Sequence, residues 1–234
     1  MKTTVLIPAA GRGKRMKEKG GEASLSKQFL LVQGLPVIVH ALKVFQRSPM
    51  IDDIVLIISR EEFDYCRKEI VEPCGLDKCR RLVEGGSQRQ DSVFNGLEAL
   101  SENPPDLVVV HDAARPLVTD RLIEEVVRSA AETGAALAAV PAKDTVKQVS
   151  REGLVESTLD RGSIWQAQTP QAFSYEDLWP AARAAKAEGL AVTDEAALLE
   201  AMGKPVTVVP GDYRNLKITT PEDLQVADLF LGKP

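Results

Sequence analysis

The chain has few of the groups that most often carry metal or redox chemistry. Its 234 residues include only two histidines, His40 and His111, far apart in sequence. Its three cysteines, Cys66, Cys74 and Cys79, are odd in number and lack CxxC spacing. These counts argue against a structural zinc site and against a disulfide framework. Ordinary thiols in a reducing compartment are expected instead. No apolar run approaches the roughly 20 residues that cross a bilayer. The first residues pass straight into a strand pattern with no signal-peptide core, so a cytoplasmic enzyme or binding protein is expected, without a membrane. Positive charge is not in excess either. The formal net charge is -5, which speaks against a nucleic-acid-coating surface while leaving room for a local basic pocket. There is no internal repeat, low-complexity run or clear linker, and residues 1–234 read as a single domain.

What the chain does have is apolar material in a regular order. Apolar residues make up 44% of it, enough for a substantial core. Strand patterns fall at 4–8, 53–58, 80–84, 107–111, 135–140 and 206–209. Helical patterns fall at 36–46, 61–71, 88–100 and 119–132, with further helices around 175–188 and 195–202. A last helix opens at Thr220-Pro221-Glu222-Asp223, where threonine can cap, proline suits the first turn and the acids suit the positive end. Runs such as Val5-Leu6-Ile7 and Leu107-Val108-Val109-Val110 are apolar at consecutive positions, as strands buried on both faces require. The fold class is therefore α/β, with a mainly parallel sheet covered by helices on both faces. From 144 to 158 the pattern breaks. Residues 145–149 and 154–158 flank a Gly153-containing turn and read as a β-hairpin. An isolated hairpin is marginal in water, so it leans on another surface such as a second subunit, or else is a surface excursion of a monomer.

The stretch Ala9-Ala10-Gly11-Arg12-Gly13-Lys14-Arg15 follows the first strand, where ligands of open parallel sheets collect. Its glycines let backbone amides approach an anion, and its cations raise the local potential; together they suit a polyphosphate. It is neither a Walker loop nor a GxGxxG turn, since Met16 stands at the third glycine position. A dinucleotide oxidoreductase loses support accordingly. The alternative is a tight turn with solvated cations. Lys27-Gln28 lies beyond a glycine- and charge-rich loop. Gly85-Gly86 precedes a helix and offers a second backbone-rich edge. Asp112 ends a buried strand, where a lone acid is costly. It suits a hydrated Mg²⁺ shared with phosphate oxygens, or a salt bridge to Arg115, or a loop cap. His111 reads as a packing or hydrogen-bonding residue, not a base.

In order along the chain stand Pro8-Ala9-Ala10-Gly11, Gly13, Arg15-Met16, Lys27-Gln28, Gly85-Gly86, Arg89, Ser92-Val93 and His111-Asp112-Ala113-Ala114-Arg115-Pro116. These are followed by Asp144-Thr145-Val146-Lys147, Asp160-Arg161, Thr169-Pro170-Gln171, Thr193-Asp194-Glu195 and 215–223. The series resembles the 2-C-methyl-D-erythritol 4-phosphate cytidylyltransferases, from Pro8 to Asp223. The resemblance implies a single Rossmann-like nucleotidyltransferase domain with a protruding β-hairpin arm, residues 142–163, that joins a homodimer. It also implies Mg²⁺-assisted transfer of CMP from CTP to a sugar-alcohol phosphate in non-mevalonate isoprenoid synthesis. Arg15, Lys27 and Lys217 would be catalytic. Pro8, Ala9, Ala10, Gly11, Gly13, Arg15, Lys27, Gly86, Ser92 and Ala113 would bind the nucleotide. Asp112, Arg115, Thr145, Arg161, Thr169, Thr193 and Lys217 would bind the acceptor, with Thr145 and Arg161 reaching across the dimer and Asp112 near the metal.

For these last residues plainer readings stand beside the functional ones. Thr169 and Thr193 could be caps, and Lys217 and Arg161 solvated charges. Ribitol 5-phosphate is the rival acceptor, and a non-catalytic CTP-binding module is the rival of another class. Since a phosphate monoester is already an anion near neutral pH, no general base is required, and the lack of a catalytic histidine is consistent with that.

Overall fold

A computed structural model describes residues 1–11 and 26–232, apart from the Lys27 side chain. Strand β1 (Thr3–Pro8) lies inside the main sheet, and its apolar run is fully buried. Val5 and Ile7 point to the core on one face, and Leu6 to the core on the other. That two-sided burial is what consecutive apolar residues dictate in a strand of period two. A small ribbon, β2 (Leu31–Val32) and β3 (Leu35–Pro36), precedes helix α1 (Val37–Arg47), whose Ile38, Ala41, Leu42 and Phe45 cover the Val5 face. Strand β4 (Asp53–Ile58) pairs parallel with β1, and β5 (Arg81–Glu84) pairs parallel with β4.

Between those strands the pattern predicts one helix over 61–71. The chain instead makes a 3-10 turn (Arg60–Glu62), a single α-turn (Phe63–Tyr65) and a wider π-turn (Cys66–Val71). The buried residues of the π-turn are Cys66 and Ile70, so the apolar spacing is kept while the backbone winding is not.

Helix α2 (Arg89–Glu98) covers the Leu6 face, and β6 (Leu107–Val110) pairs parallel with β1 on its other side. Helix α3 (Asp120–Thr133) is capped by Thr119 Oγ1, which accepts from Leu122 N, and ends at Gly134 with φ 85°. The left-handed turn at that stop favours glycine. Strand β7 (Ala135–Pro141) follows, and then the hairpin of β8 (Lys147–Val149) and β9 (Val155–Thr158), which among the described residues pairs only with itself.

Strand β10 (Trp165–Ser174) has no counterpart in the sequence reading. It lies between β6 and β7, antiparallel to both. Its register with β7 shifts between Ala167 and Gln171, and that break holds the cis Thr169–Pro170 peptide. Proline cannot donate to a ladder and so argues against a central strand. The irregularity admits it here, which is why the pattern concealed the strand.

Helices α4 (Tyr175–Glu188) and α5 (Ala196–Ala201), strand β11 (Thr207–Pro210) and helix α6 (Pro221–Leu231) complete the described chain. The seven-stranded order is β11-β7-β10-β6-β1-β4-β5, parallel except for β10. The predicted capping at α6 is present: Thr220 and Asp223 form a capping box around Pro221. No helix among the described residues is long and apolar enough to cross a membrane.

Candidate active site

The carboxyl ends of β1, β5 and β6 open into a cleft of about 790 Å³. One wall is the loop Pro8-Ala9-Ala10-Gly11, and the facing edge is Gly85-Gly86 with Ser92. The two edges touch closely. A Cβ built on Gly85 would stand 2.2 Å from Ala10 Cβ, and one on Gly86 would stand 2.2 Å from Asp91 Cβ. Both glycines are thus demanded by contact. Ser92 Oγ accepts from Gly86 N at 3.1 Å and donates to the Gln88 carbonyl at 3.0 Å, which ties the glycine edge to the start of α2. On the other wall, the buried Gln28 side-chain amide donates to the Ala9 carbonyl.

Asp112, just past β6, is the centre of the floor. Lys217 Nζ lies 2.7 Å from its Oδ2 and Arg89 Nε 2.8 Å from its Oδ1, while Arg115 Nε stands 3.8 Å from Oδ2. Arg89 also forks onto Glu195, with Nη1 to Oε1 at 2.8 Å and Nη2 to Oε2 at 2.9 Å. Three cations therefore face two carboxylates, and the floor carries one excess positive charge. Burial alone would raise the Asp112 carboxyl, but Arg89 and Lys217 outweigh it and hold the group well below the usual carboxylate range. Burial pushes the Glu195 carboxyl up, and Arg89 works against that push.

Behind Asp112 a buried relay fixes the backbone. Asp112 N donates to Thr169 Oγ1 at 3.0 Å. His111 Nε2 faces the Arg115 carbonyl at 3.1 Å, and Nδ1 faces Thr169 Oγ1 at 3.1 Å. A carbonyl can only accept, so Nε2 carries the ring proton and Nδ1 accepts from the Thr169 hydroxyl. Full burial pushes His111 down to about 4, in keeping with a neutral ring. Asn215 Nδ2 donates to the Thr169 carbonyl at 2.8 Å, and Arg115 Nη1 donates to the Asn215 carbonyl at 2.6 Å. The shifted register of β10 thus delivers Thr169 to the tip of β6, and the 215–218 segment is stitched onto both, with Ile218 N donating to the Ala114 carbonyl.

The expected residues divide into four groups. Pro8, Ala9, Ala10, Gly11, Gly86, Ser92, Asp112, Ala113 and Lys217 line the one cleft. Arg115 and Thr169 are buried directly behind it. Thr193 lies on the exposed segment before α5; Thr145 and Arg161 are exposed in the hairpin region, where Arg161 Nη1 donates to the Lys143 carbonyl at 2.8 Å. Gly13 and Arg15 lie outside the described residues, as does the Lys27 side chain, although the Lys27 backbone is in a 3-10 turn (Lys27–Phe29).

Among the described residues no group of three or more His, Cys, Asp or Glu side chains is placed to hold a metal ion. Both Asp112 oxygens are already engaged by cations. Its surroundings therefore fit an ion-pair hub and not a Mg²⁺ ligand.

Two residues to which the motif reading assigned no role belong to this floor, Arg89 and Glu195. A signal for Arg89 was present. It is the first residue of α2, and a cation at the positive end of a helix is disfavoured by about 0.3–1 kcal/mol. Its placement there calls for a specific acidic partner. Gln28 and Asn215 lie inside motif segments, and their work is visible only in three dimensions.

Comparison with known proteins agrees with this geometry. The family profile described as IspD, 2-C-methyl-D-erythritol 4-phosphate cytidylyltransferase, matches residues 3–233. The chain is 47% identical over 232 residues to a 2-C-methyl-D-erythritol 4-phosphate cytidylyltransferase of Geotalea uraniireducens, covering 99% of this chain and 97% of that one. Among solved structures it resembles the 4-diphosphocytidyl-2C-methyl-D-erythritol synthase of Anaerococcus prevotii, with a TM-score of 0.85, 32% identity and 99% of each chain covered. The Francisella tularensis 2-C-methyl-D-erythritol 4-phosphate cytidylyltransferase aligns with a TM-score of 0.81 at 34% identity, over 98% of this chain and 99% of that one.

Proposed function

The chain belongs to the 2-C-methyl-D-erythritol 4-phosphate cytidylyltransferase family, and from that premise we propose that it transfers CMP from CTP to 2-C-methyl-D-erythritol 4-phosphate. The products are 4-diphosphocytidyl-2-C-methyl-D-erythritol and pyrophosphate, in a step of non-mevalonate isoprenoid precursor synthesis. The observation that carries this reading is the cationic floor at Asp112, set beside a glycine-edged cleft.

In the reaction an oxygen of the acceptor phosphate attacks the α-phosphorus of CTP. A new P–O bond forms, the bond from the α-phosphorus to the bridging oxygen of the β-phosphate breaks, and pyrophosphate leaves in line. The nucleophile enters as an anion, so no proton need be removed. The obstacle is repulsion between two polyanions, and positioned positive charge is the remedy. Lys217 is the described cation best placed for this. It reaches the cleft and its charge is held by Asp112. Arg15 and Lys27 are assigned the triphosphate.

Cytosine is assigned to the backbone of Ala9, Ala10 and Gly86. An acceptor carbonyl there suits the N4 amino group and leaves the O4 of uracil unpaired. Ser92 holds that edge in shape, since its hydroxyl is already engaged on both sides. Arg115 and Thr193 are assigned the acceptor, and Thr169 supports Asp112 beside it. Thr145 and Arg161 are assigned to the neighbouring subunit's acceptor site through residues 142–163, a β-hairpin arm of the one domain. In this reading the enzyme works in the cytoplasm as a homodimer. A magnesium ion would enter as the counter-ion of the triphosphate, not on Asp112.

The test is a pyrophosphate-release assay with CTP, ATP, GTP and UTP, each against methylerythritol phosphate and ribitol 5-phosphate. Release with CTP and methylerythritol phosphate above all other pairs is expected. Preference for ribitol phosphate would move the acceptor assignment, and tight CTP binding without release under either acceptor would overturn the enzyme assignment.

A further inference from the structure

We propose that Arg89 is a positioning residue that locks the acceptor-side segment 190–195 to the nucleotide side of the cleft; this rests on the functional reading above and assigns a role within the same site. The side chains of Arg89, Gln90 and Gln171 hold the segment. Arg89 forks onto Glu195 with both terminal nitrogens. The neighbouring Gln90 accepts from Val192 N at 3.0 Å and donates to the Leu190 carbonyl at 2.9 Å. On the far side Gln171 of β10 donates to Asp194 Oδ2 at 2.9 Å. Asp194 Oδ1 in turn accepts from Ala197 N at 3.2 Å, in the first turn of α5. Thr193 is exposed, and each of its neighbours, Val192 and Asp194, is tethered.

Arg89 differs from the other tethers because it has a second partner. Its remaining nitrogen, Nε, lies on Asp112 at 2.8 Å. One planar guanidinium thus spans from the acceptor segment to the carboxylate that holds Lys217. It does so from the first position of α2, immediately after the glycine edge assigned to cytosine. The geometry needs a fork. An ammonium is a point charge that cannot bridge two carboxylates with three directed bonds in one plane. Glu195 is 1% exposed, so its charge has Arg89 as counter-ion within the site. The position also opposes the helix dipole, a placement that only these partners compensate. Arg89 therefore sets where Thr193 stands relative to Asp112 and Lys217, without touching the reacting atoms.

The experiment compares wild type, Arg89→Lys and Glu195→Gln in steady-state pyrophosphate release, varying CTP and methylerythritol phosphate separately, with thermal unfolding measured alongside. Arg89→Lys keeps the charge and loses the fork; Glu195→Gln keeps the shape and loses one of the two paired contacts. In both, KM for the acceptor is expected to rise roughly 10–100-fold, the scale of a small misplacement of a bound reactant, while KM for CTP stays within about twofold. An equal rise in both KM values, or a lowered unfolding temperature with neither KM moved, overturns the inference and leaves the cytidylyl-transfer reading standing. A wild type that releases no pyrophosphate overturns that reading and the inference with it. If Arg89→Lys does not fold, Glu195→Gln decides by the same comparison.

Discussion

Lys217 Nζ and Asp112 Oδ2 stand 2.7 Å apart, and the two residues come from opposite sides of the chain's topology. Asp112 follows β6, whereas Lys217 belongs to the segment between β11 and α6. The pairing is held from behind, by Ile218 N on the Ala114 carbonyl and Arg115 on the Asn215 carbonyl. A lysine stem is flexible and its ammonium strongly hydrated, so this anchoring is what makes its charge a fixed feature of the cleft. Asp112 thus keeps the cation in place at the cleft.

Lys217→Ala is expected to leave the fold intact and lower kcat/KM by about 10²–10³, equivalent to about 2.7–4 kcal/mol of lost transition-state stabilisation. Asp112 retains Arg89 at 2.8 Å in that variant, so no buried charge is left unpaired. Near-normal thermal unfolding together with that loss of rate supports the role. A rate within a factor of three of wild type would remove Lys217 from the mechanism.

Gly85→Ala tests the glycine edge by contact and not by charge. The added Cβ would meet Ala10 Cβ at 2.2 Å and Ser92 Oγ at 3.0 Å. Ala10 belongs to the facing wall, so the wall must move. Overpacking of this kind typically costs about 1–3 kcal/mol. KM for CTP should rise well above its wild-type value while KM for the acceptor changes little. Calorimetric titration with CTP is the direct check, and wild-type affinity would show that the edge does not shape the nucleotide site.

Much of this molecule was legible in its residues, and what was hidden has physical causes. The parallel strands were visible because burial on both faces leaves consecutive apolar residues, as in Leu107-Val108-Val109-Val110. Boundaries moved by a residue or two where a cap or a loop took over: His111 leaves β6 to enter the relay. Strand β10 was invisible because Gln166, Gln168, Thr169 and Pro170 carry neither alternation nor apolar continuity, and the side chains of Gln168 and Thr169 find partners far off in sequence, in Asp212, Asn215, Asp112 and His111. The winding over 60–71 escaped for a different reason, since α- and π-turns preserve similar apolar spacing. Of the site, the glycine edges and Asp112 announced themselves. Glu195 did not, because its burial follows from an arginine more than a hundred positions away.

His111 gives the protein a defined acid sensitivity. Its ordinary value of 6.5 is pushed down to about 4 by burial, with Arg115 and Arg89 adding in the same direction and Asp112 and the hydrogen bond to the Arg115 carbonyl opposing. The unfolded chain therefore binds the extra proton between pH 6.5 and 4, and the folded chain does not. Stability from the neutral ring is complete above about pH 6.5 and is lost as pH falls towards 4, by an amount on the order of 3 kcal/mol. Below that range Asp112 begins to lose its contribution as well, since its folded value is depressed. Urea unfolding at intervals from pH 7.5 to 4.5 should show the decline in wild type and a flatter profile in His111→Asn. Equal slopes in the two proteins would reassign the acid sensitivity to other groups.

Subunit mixing separates the two proposed roles of the hairpin of β8 and β9. Leu154 is 70% exposed, Val155 62% and Val149 50%, and the hairpin pairs with no other strand of the described chain. Apolar side chains so presented on a marginal ribbon suit contact with a second copy. Deleting residues 146–157 is expected to give a monomer by sedimentation, and an inactive one. Inactivity alone would not show that the arm carries residues into the neighbouring site. Mixing Arg161→Ala chains with Lys217→Ala chains does. If Arg161 works across a two-fold interface, each mixed dimer contains one site with both defects and one with neither. After subunit exchange at equal concentrations, half of the dimers are mixed, so roughly a quarter of all sites should regain wild-type turnover. If Arg161 serves its own subunit's site, every site in every dimer carries one defect and no activity returns. Restoration near a quarter establishes the crossing arm. A mixture as inactive as its two components, under conditions where exchange is demonstrated, would confine Arg161 to its own chain.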